Sequence, residues 1–184
     1  MALHEHIRHT PILSASEAPI RMIGAFAESV GQATDLTQVG ECILRILSEQ
    51  LRLPKAAIWI REANGEYHLL ASLGHRTLAA LPASLPDNHA LITGLSDRLH
   101  LLRYDQASSS PAGSAMISIQ AAVCLPLRNK TQFLGLCALG PIGTECHLDE
   151  DTVIIAETVA RIACNTLDHH LAQADLRSSS TLKR

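Results

Sequence analysis

The chain has 184 residues, of which 47% are hydrophobic and 18% are charged, and its formal net charge is −3. This length and balance predict one packed domain rather than a disordered chain. Aromatic residues make up only 3% of the sequence and no basic stripe is present, which argues against a dedicated reader of DNA or RNA. No apolar run approaches the roughly 20 residues of a membrane-spanning helix, and the polar, histidine-rich start is unlike a signal peptide. We therefore expect a cytoplasmic protein that contacts neither nucleic acid nor membrane.

Two amphipathic helices are predicted in the first third of the chain. Ser14 and Glu17 have the spacing of a capping box, after which apolar residues recur at helical spacing to about Gly31. A second start signal of the same kind begins at Asp35, and another apolar stripe continues until the chain approaches Pro54. The folded part of the chain is therefore expected to begin with two successive helices.

The middle of the chain combines a clear hairpin with an irregular segment. Residues 56–73 are predicted to form a β-hairpin, with Asn64 and Gly65 at its turn. Residues 75–118 are harder to assign, because prolines interrupt any long element. One short strand is predicted over residues 99–103, and the residues after this strand are expected to form a loop or a loosely held helix and loop. Long segments of this kind inside a compact domain often act as binding lids.

A second hairpin is predicted for the segment AAVCLPLRNKTQFLGLCALGP, residues 121–141. With Asn129 and Lys130 at the centre of an even-length turn, Leu125 pairs with Leu134 and both faces of the hairpin are apolar. A sheet with one face in water would alternate apolar and polar side chains instead. We therefore expect both faces to be covered, one by helices and the other by the irregular middle segment.

Five cysteines occur, an odd number without any CxxC pair, which argues against a disulfide framework and a structural zinc site. The predicted pairing places Cys124 and Cys137 diagonally on one face of the second hairpin. They are either a redox pair or half of an iron site, or else two buried small hydrophobic residues, and the last interpretation is favoured. No metal site is predicted, and the sequence identifies no cofactor.

A long final helix is predicted from about Asp149 to about Leu176, a stretch without proline or glycine. Its apolar side chains cover so wide an arc that the helix must be buried on more than one side. One side is expected to pack on the sheet. The other is expected to pair with a second subunit, giving a homodimer through the terminal helices, with the first helix of the same chain as the alternative partner.

The second hairpin, followed by the final helix LDEDTVIIAETVARIACNTLDHHL, resembles the end of a GAF domain. The segment LTQVGECILRILSEQLRLPKAAIWI is similar to the second helix and first strand of that family, and the resemblance extends from about Ser16 to Leu176. It implies an α+β sandwich with a central antiparallel sheet of about six strands and helices from both chain ends on one face. It also implies a small-molecule pocket on the other face, under the irregular middle segment.

Residues that mark particular branches of the family do not match. Asn129 and Lys130 lie in a turn, whereas cyclic-nucleotide-binding members carry this pair at the end of the last strand. Cys146 and His147 have the letters of the bilin attachment pair but follow the last strand. Free methionine sulfoxide reductases use cysteines of the middle segment, which has none here. Candidate axial ligands for haem are more readily explained as surface or loop histidines: His68, His75, His89 and His100.

The resemblance implies a small-molecule-sensing regulatory domain, the signal-input and dimerisation module of a two-component sensor kinase or a transcriptional regulator. Its expected partners are a small-molecule ligand, a second copy of the chain, and a histidine kinase or other output domain. One alternative is a thiol-dependent reductase of the free methionine sulfoxide reductase type that uses Cys124 or Cys137. Another is a dimerisation module without a ligand. No catalytic constellation is found in the sequence.

The candidate ligand-lining residues come from the predicted strands and from the ends of the irregular segment. They are Trp59, Tyr104, Met116 and Cys124. The alternative for each is a place in the core without ligand contact. The predicted organisation of the chain is a flexible segment over residues 1–13, the domain over residues 14–176 and a flexible tail over residues 177–184.

Overall fold

The computed structural model describes residues 17–75, 81–143 and 149–181. The predicted flexible segment 1–13, the capping residue Ser14 and the pair Cys146 and His147 lie outside the described residues. In chain order the elements are α1 (Glu17–Gly31), α2 (Leu36–Leu51), β1 (Lys55–Arg61), β2 (Tyr67–Leu73), β3 (Ser84–Leu85), α3 (Ala90–Leu95), β4 (Leu102–Arg103), α4 (Tyr104–Ala107), α5 (Pro111–Ser118), β5 (Val123–Arg128), β6 (Phe133–Gly140) and α6 (Glu150–Thr181).

Within the described residues, six strands form one antiparallel sheet in the order β3-β2-β1-β6-β5-β4. Its central strands, β1 and β6, belong to the two predicted hairpins, and they pair from Lys55 opposite Gly140 to Ile60 opposite Gly135. Pairing between the two hairpins therefore joins distant parts of the chain at the middle of the sheet. The expected α+β sandwich with a central antiparallel sheet is confirmed.

Helix α2 begins and ends at the residues that carry its sequence signals. Asp35 is the N-cap, and its carboxylate accepts a hydrogen bond from the Gln38 backbone N–H at 2.9 Å. At the other end Arg52 adopts the left-handed conformation, and Pro54 follows immediately before β1. The helix buries one apolar stripe against the sheet: Val39, Ile43, Leu44, Leu47 and Leu51.

The register of the second hairpin differs from the prediction. Residues 129–132 form the turn, and the Asn129 side-chain carbonyl accepts hydrogen bonds from two backbone N–H groups of this turn at 2.9 Å. This turn places Arg128 opposite Phe133, and a β-bulge between Leu127 and Arg128 shifts the pairing by one more residue. Leu125 therefore pairs with Cys137 and not with Leu134. A shift of this kind changes which side chains share a face of the sheet.

The sheet carries a separate apolar layer on each face, as the sequence of the second hairpin predicts. Helices α1, α2 and α6 cover one face, and we call the side chains between them and the sheet the helix layer. Residues 81–119, which contain α3, α4 and α5, cover the other face, apart from Leu101, whose side chain packs in the helix layer. We call this segment the roof and the side chains beneath it the roof layer. Leu47 in the helix layer and Leu95 in the roof layer are both 0% exposed, so each layer has a dry interior.

The roof is more regular than predicted. The stretch YDQASSSPAGSA, expected as a loop or loosely held helix and loop, contains α4 and the first part of α5. Ser110 caps α5, since its hydroxyl accepts a hydrogen bond from the Gly113 backbone N–H at 3.2 Å. The strand predicted over residues 99–103 is reduced to β4, which pairs only with the beginning of β5. Neither α3 nor β3 is predicted, because elements this short show no period.

Helix α6 begins at the predicted acidic cluster, where the Asp149 carboxylate accepts a hydrogen bond from the Thr152 backbone N–H at 2.8 Å. It continues to Thr181, past the predicted end near Leu176. Residues 177–181 of the predicted tail are therefore helical, and residues 182–184 lie outside the described part of the chain. None of the described helices combines the length and the hydropathy that crossing a membrane requires.

Candidate functional site

The face of the sheet beneath the roof carries the candidate functional site. Trp59 lies on the central strand β1 with 0% of its surface exposed. Its indole Nε1–H donates a hydrogen bond to the backbone carbonyl of Pro82 at 2.9 Å, which ties the ring to the beginning of the roof. Since the chain has one tryptophan, this side chain is a spectroscopic reporter of the roof layer.

All four residues predicted to line a ligand pocket lie on this face. Trp59, Met116 and Cys124 are fully buried members of the roof layer. Tyr104, the first residue of α4, is half-buried and packs against the same layer. The structure thus brings the four residues to one layer, and their contact with a ligand stays a prediction.

Among the described residues, two openings lie at the roof on this side of the sheet, whereas the side chains around Trp59 leave no cavity volume. One is an open groove of about 480 Å³ lined by the predicted residue Tyr104 together with Ile117, Gln120, Pro141 and Ile142. The other, a cleft of about 290 Å³, opens between α3, α4 and α5; we call it the roof cleft. Beside it α3 and α5 approach closely, because a Cβ at Gly94 would lie 3.1 Å from the Ala112 Cβ. Its polar lining residues are Thr93, Arg98, Gln106 and Ser110.

Sequence reasoning did not identify the residues of the roof cleft. They come from short helices and their ends, where no hydrophobic period is visible. The one local signal is Ser110 followed by Pro111, a combination typical of the first turn of a helix. Ligand pockets usually measure roughly 300–1,000 Å³, so the roof cleft suits a small metabolite rather than a large cofactor.

The roof is fastened to α6 through Glu157. The Glu157 carboxylate accepts a hydrogen bond from the Leu101 backbone N–H at 3.2 Å and lies 3.1 Å from Nδ1 of His100. The His100 side chain is 80% exposed, whereas the Glu157 side chain is 15% exposed. The hydrogen bond from the Leu101 backbone to Glu157 is therefore more sheltered from water than the contact with His100. It connects the roof directly to α6.

A second connection to α6 runs from the turn between β5 and β6. The Asp168 carboxylate accepts hydrogen bonds from the side-chain amides of Asn129 and Gln132, both at 3.0 Å. Charged acceptors form the stronger hydrogen bonds in proteins. Asn129, predicted as a turn residue, therefore closes the turn with its side-chain carbonyl and also holds the turn against α6 with its side-chain amide.

The buried thiols are poorly placed for nucleophilic chemistry. Cys124 lies in the roof layer and Cys137 in the helix layer, so the prediction that they share one face is wrong. The physical reason is a β-bulge between Leu127 and Arg128, which shifts the pairing by one residue and so moves Cys137 to the face opposite Cys124. Burial raises the pKa of the Cys124 thiol to about 12, and it also raises the pKa of Cys137. These residues therefore act as small hydrophobic side chains.

Three of the four histidines considered as haem ligands have local partners, and for the fourth, His75, burial and the nearby Lys55 lower the pKa. His89 is the N-cap of α3, and its Nδ1 accepts a hydrogen bond from the Leu91 backbone N–H at 3.3 Å. His68 lies 3.5 Å from the Glu66 carboxylate, and His100 faces α6. Burial lowers the pKa of His89, which suits an imidazole that accepts a hydrogen bond in its neutral form. Nowhere in the described ranges do three or more histidines, cysteines or acidic residues form a group suited to a metal ion.

No protein-family model and no curated protein matches the chain. Solved structures do match. The GAF domain of a phosphoenolpyruvate-protein phosphotransferase from Coxiella burnetii is 19% identical and superposes with a TM-score of 0.69, over 88% of this chain and 99% of that one. The GAF domain of the Acinetobacter phosphoenolpyruvate-protein phosphotransferase is 12% identical, with a TM-score of 0.69 over 87% of this chain and 97% of that one.

A larger light-sensing protein contains the same architecture. The photosensory core module of a Stigmatella aurantiaca phytochrome is 12% identical, with a TM-score of 0.64 over 92% of this chain and 38% of that one. At such identities the likeness concerns the fold alone. The structural likeness confirms the GAF fold that the sequence resemblance implies. It extends over nearly the whole length of the chain.

Proposed function

We propose that this chain, which has the fold of a GAF domain, is a small-molecule-sensing regulatory domain. The observation that carries the proposal is the connection between the roof and the last helix, where Glu157 contacts two successive roof residues, His100 and Leu101. A segment that covers an apolar face and is fastened to an output helix suits a sensor. The similar domains come from a phosphotransferase and a phytochrome, which supports a regulatory role.

In this proposal a small molecule enters the roof cleft between α3 and α5. Because Gly94 and Ala112 bring these helices close together, a ligand that separates them must move the roof. The movement reaches residues 96–101, and Leu101 transmits it to α6 through Glu157. Ligand binding then selects between two packing arrangements of α6 on the sheet.

Tryptophan fluorescence tests this function. We expect pools of small metabolites, screened against the whole chain, to include one that shifts the emission of Trp59 and raises the melting temperature. Gly94→Leu presses against Ala112 and forces α3 away from α5, so it distorts the roof cleft and is expected to weaken that ligand by at least about tenfold. Gly24→Leu is the matched control, since a Cβ at Gly24 meets no other atom within 4 Å. If no pool affects Trp59, or if both variants bind equally, the ligand-free dimerisation module becomes the better account.

We infer that the terminal helices also join two copies of the chain. Ile20 on α1 and Ile154 on α6 are large apolar side chains with 70% and 54% of their surface exposed. A second copy would cover them, and two-fold pairing of α1 and α6 would complete a helix bundle. This homodimer is the proposed input unit of a cytoplasmic two-component sensor kinase or transcriptional regulator.

Sedimentation velocity tests the homodimer. The unaltered chain is expected at twice its mass of 19.8 kDa, and Ile154→Glu is expected to shift it to the monomer. The matched control is Ile117→Glu, because Ile117 is 53% exposed but lies on α5 in the roof. A monomeric unaltered chain, or equal dissociation of the two variants, contradicts pairing through α1 and α6.

A further inference from the structure

A second cleft, of about 440 Å³, lies outside the roof layer and beside α6. We call it the edge cleft, because it is lined by the end of β5, where β4 no longer pairs, together with α6 and the loop that leads into β4. Its volume falls within the usual range of ligand pockets, roughly 300–1,000 Å³. Leu99, an apolar side chain with 71% of its surface exposed, stands at its rim. The other apolar lining residues are Leu125, Pro126 and Ala160.

The lining of the edge cleft is basic. Arg128, Lys130 and Arg161 contribute three positive charges, and Glu157 contributes one negative charge. With His100 counted as neutral, the formal balance is +2, although the whole chain carries −3. Glu157 also accepts a hydrogen bond from the Leu101 backbone N–H, which fixes the position of its carboxylate, and its negative charge is included in this balance. A local positive potential on an acidic protein attracts anions.

Arg128 is held in position from one side. Its Nη1 donates a hydrogen bond to the backbone carbonyl of Ser96 at 3.0 Å, and the side chain is half-buried. Within the described part of the chain, its Nε and Nη2 groups make no hydrogen bond. A guanidinium fixed in this way presents its remaining N–H groups to two oxygens of an anion. Binding then loses little side-chain entropy, because the group is already ordered.

We propose that the edge cleft binds a small phosphate monoester with an apolar body, at a site separate from the roof cleft. A phosphate monoester carries a charge of about −1.5 to −2 near neutral pH, which matches the balance of the lining. Its three oxygens suit the three basic side chains, whereas a monocarboxylate offers less charge and fewer acceptors. The apolar body covers Leu99 and Pro126. Since the cleft joins α6 to the roof residues Leu99 and His100, the bound ester strengthens the contact between roof and helix.

Calorimetric titration of the whole chain with phenyl phosphate tests this site. Phenyl phosphate is expected to bind saturably, and inorganic phosphate at least about tenfold more weakly, because it lacks the apolar body. The double variant Lys130→Gln, Arg161→Gln is expected to lose about tenfold in affinity for phenyl phosphate. Both side chains are exposed, so circular dichroism is expected to confirm an intact fold. Arg61→Gln is the matched control, since Arg61 is an exposed arginine that does not line the cleft.

Each result decides the proposal. No saturable binding of phenyl phosphate at millimolar concentrations, equal affinity for inorganic phosphate, or full affinity in the double variant would overturn it. The emission of Trp59 is expected to stay constant during the titration, because Trp59 lies in the roof layer. A shifted emission that persists in the double variant Lys130→Gln, Arg161→Gln would place the probe beneath the roof and also overturn a separate site. None of these outcomes concerns the ligand of the roof cleft, so the two proposals can fail independently.

Discussion

The helix layer and the roof layer pack on the same sheet but are built from different elements. The helix layer is covered by α1, α2 and α6, which have 15, 16 and 32 residues. The roof helices α3, α4 and α5 have 6, 4 and 8 residues. Short helices leave a large share of their backbone N–H and C=O groups without partners inside the helix. The roof therefore depends chiefly on side-chain packing, and it is expected to open more easily than the helix layer.

This contrast explains how one small domain can combine a fixed frame with a movable cover. Consecutive residues of β1 serve both layers, since Ile58 belongs to the helix layer and Trp59 to the roof layer. A structural change beneath the roof therefore moves residues that are adjacent in sequence to residues of the helix layer. The hydrogen bond from Leu101 to Glu157 is the second route between the layers, since it joins the roof to α6.

The largest effect is expected for Leu47→Ala, which removes a fully buried side chain from the helix layer. Because long helices and the sheet cannot close around the cavity, we expect a loss of about 4 kcal/mol in the free energy of unfolding. Urea denaturation followed by circular dichroism measures this loss. Leu47→Met is the volume-conserving control and should cost less than about 1.5 kcal/mol.

Leu95→Ala is the equivalent change in the roof layer, since Leu95 is also 0% exposed. We expect a smaller loss of about 2 kcal/mol, because short helices can settle into the cavity. The emission of Trp59 should also move to longer wavelength as the roof loosens. Equal losses for Leu47→Ala and Leu95→Ala would remove the distinction between the two layers.

Asp168→Ala probes the connection between the sheet and α6. It leaves the amides of Asn129 and Gln132 without their carboxylate, and we expect a loss of about 1 kcal/mol in unfolding free energy. Chemical denaturation is again the measurement. Glu41→Ala removes an exposed carboxylate from α2 and serves as the control. Equal stability of the two variants would mean that water replaces the hydrogen bonds of Asp168 without loss, which would contradict a stabilising connection.

The smallest effect concerns pH and is confined to the roof. Burial lowers the pKa of His89 from its ordinary value of 6.5, so below that pH the unfolded chain binds the proton more readily than the folded chain. Stability should therefore fall as the pH drops from about 7 to about 5. His89→Asn keeps an N-cap without titrating, so its melting temperature should fall less over this range. An unchanged pH dependence in the variant would show that His89 does not contribute.

The sequence was sufficient to predict the long helices and the existence of both hairpins, but not the register of the second hairpin. Asp35 and Pro54 mark the ends of α2 with local chemistry, and Asn64 with Gly65 marks the first hairpin turn. These signals act within a few residues, so they can be read without knowledge of the tertiary structure. The second hairpin has apolar side chains on both faces of its strands, and this pattern likewise indicated that both faces are covered.

The roof could not be predicted in the same way. α3 and α5 form because Gly94 and Ala112 allow two short helices to pack, and neither residue carries a local signal for that contact. The register of the second hairpin depended on the Asn129 side chain, which closes the turn, and on a β-bulge between Leu127 and Arg128, and neither has a signal in the sequence. Glu157 and Asp168 are ordinary helix-surface acids in the sequence, and only the fold brings them to their partners.

A movable roof requires that the roof opens locally while the helix layer stays closed. Hydrogen exchange of the backbone amides, followed by mass spectrometry at low denaturant concentrations, measures this directly. We expect α3 and α5 to exchange at least about a hundredfold faster than α2, with little dependence on denaturant. Equal rates and an equal, steep denaturant dependence in α3 and α2 would mean that both open only when the whole domain unfolds, which contradicts a movable roof.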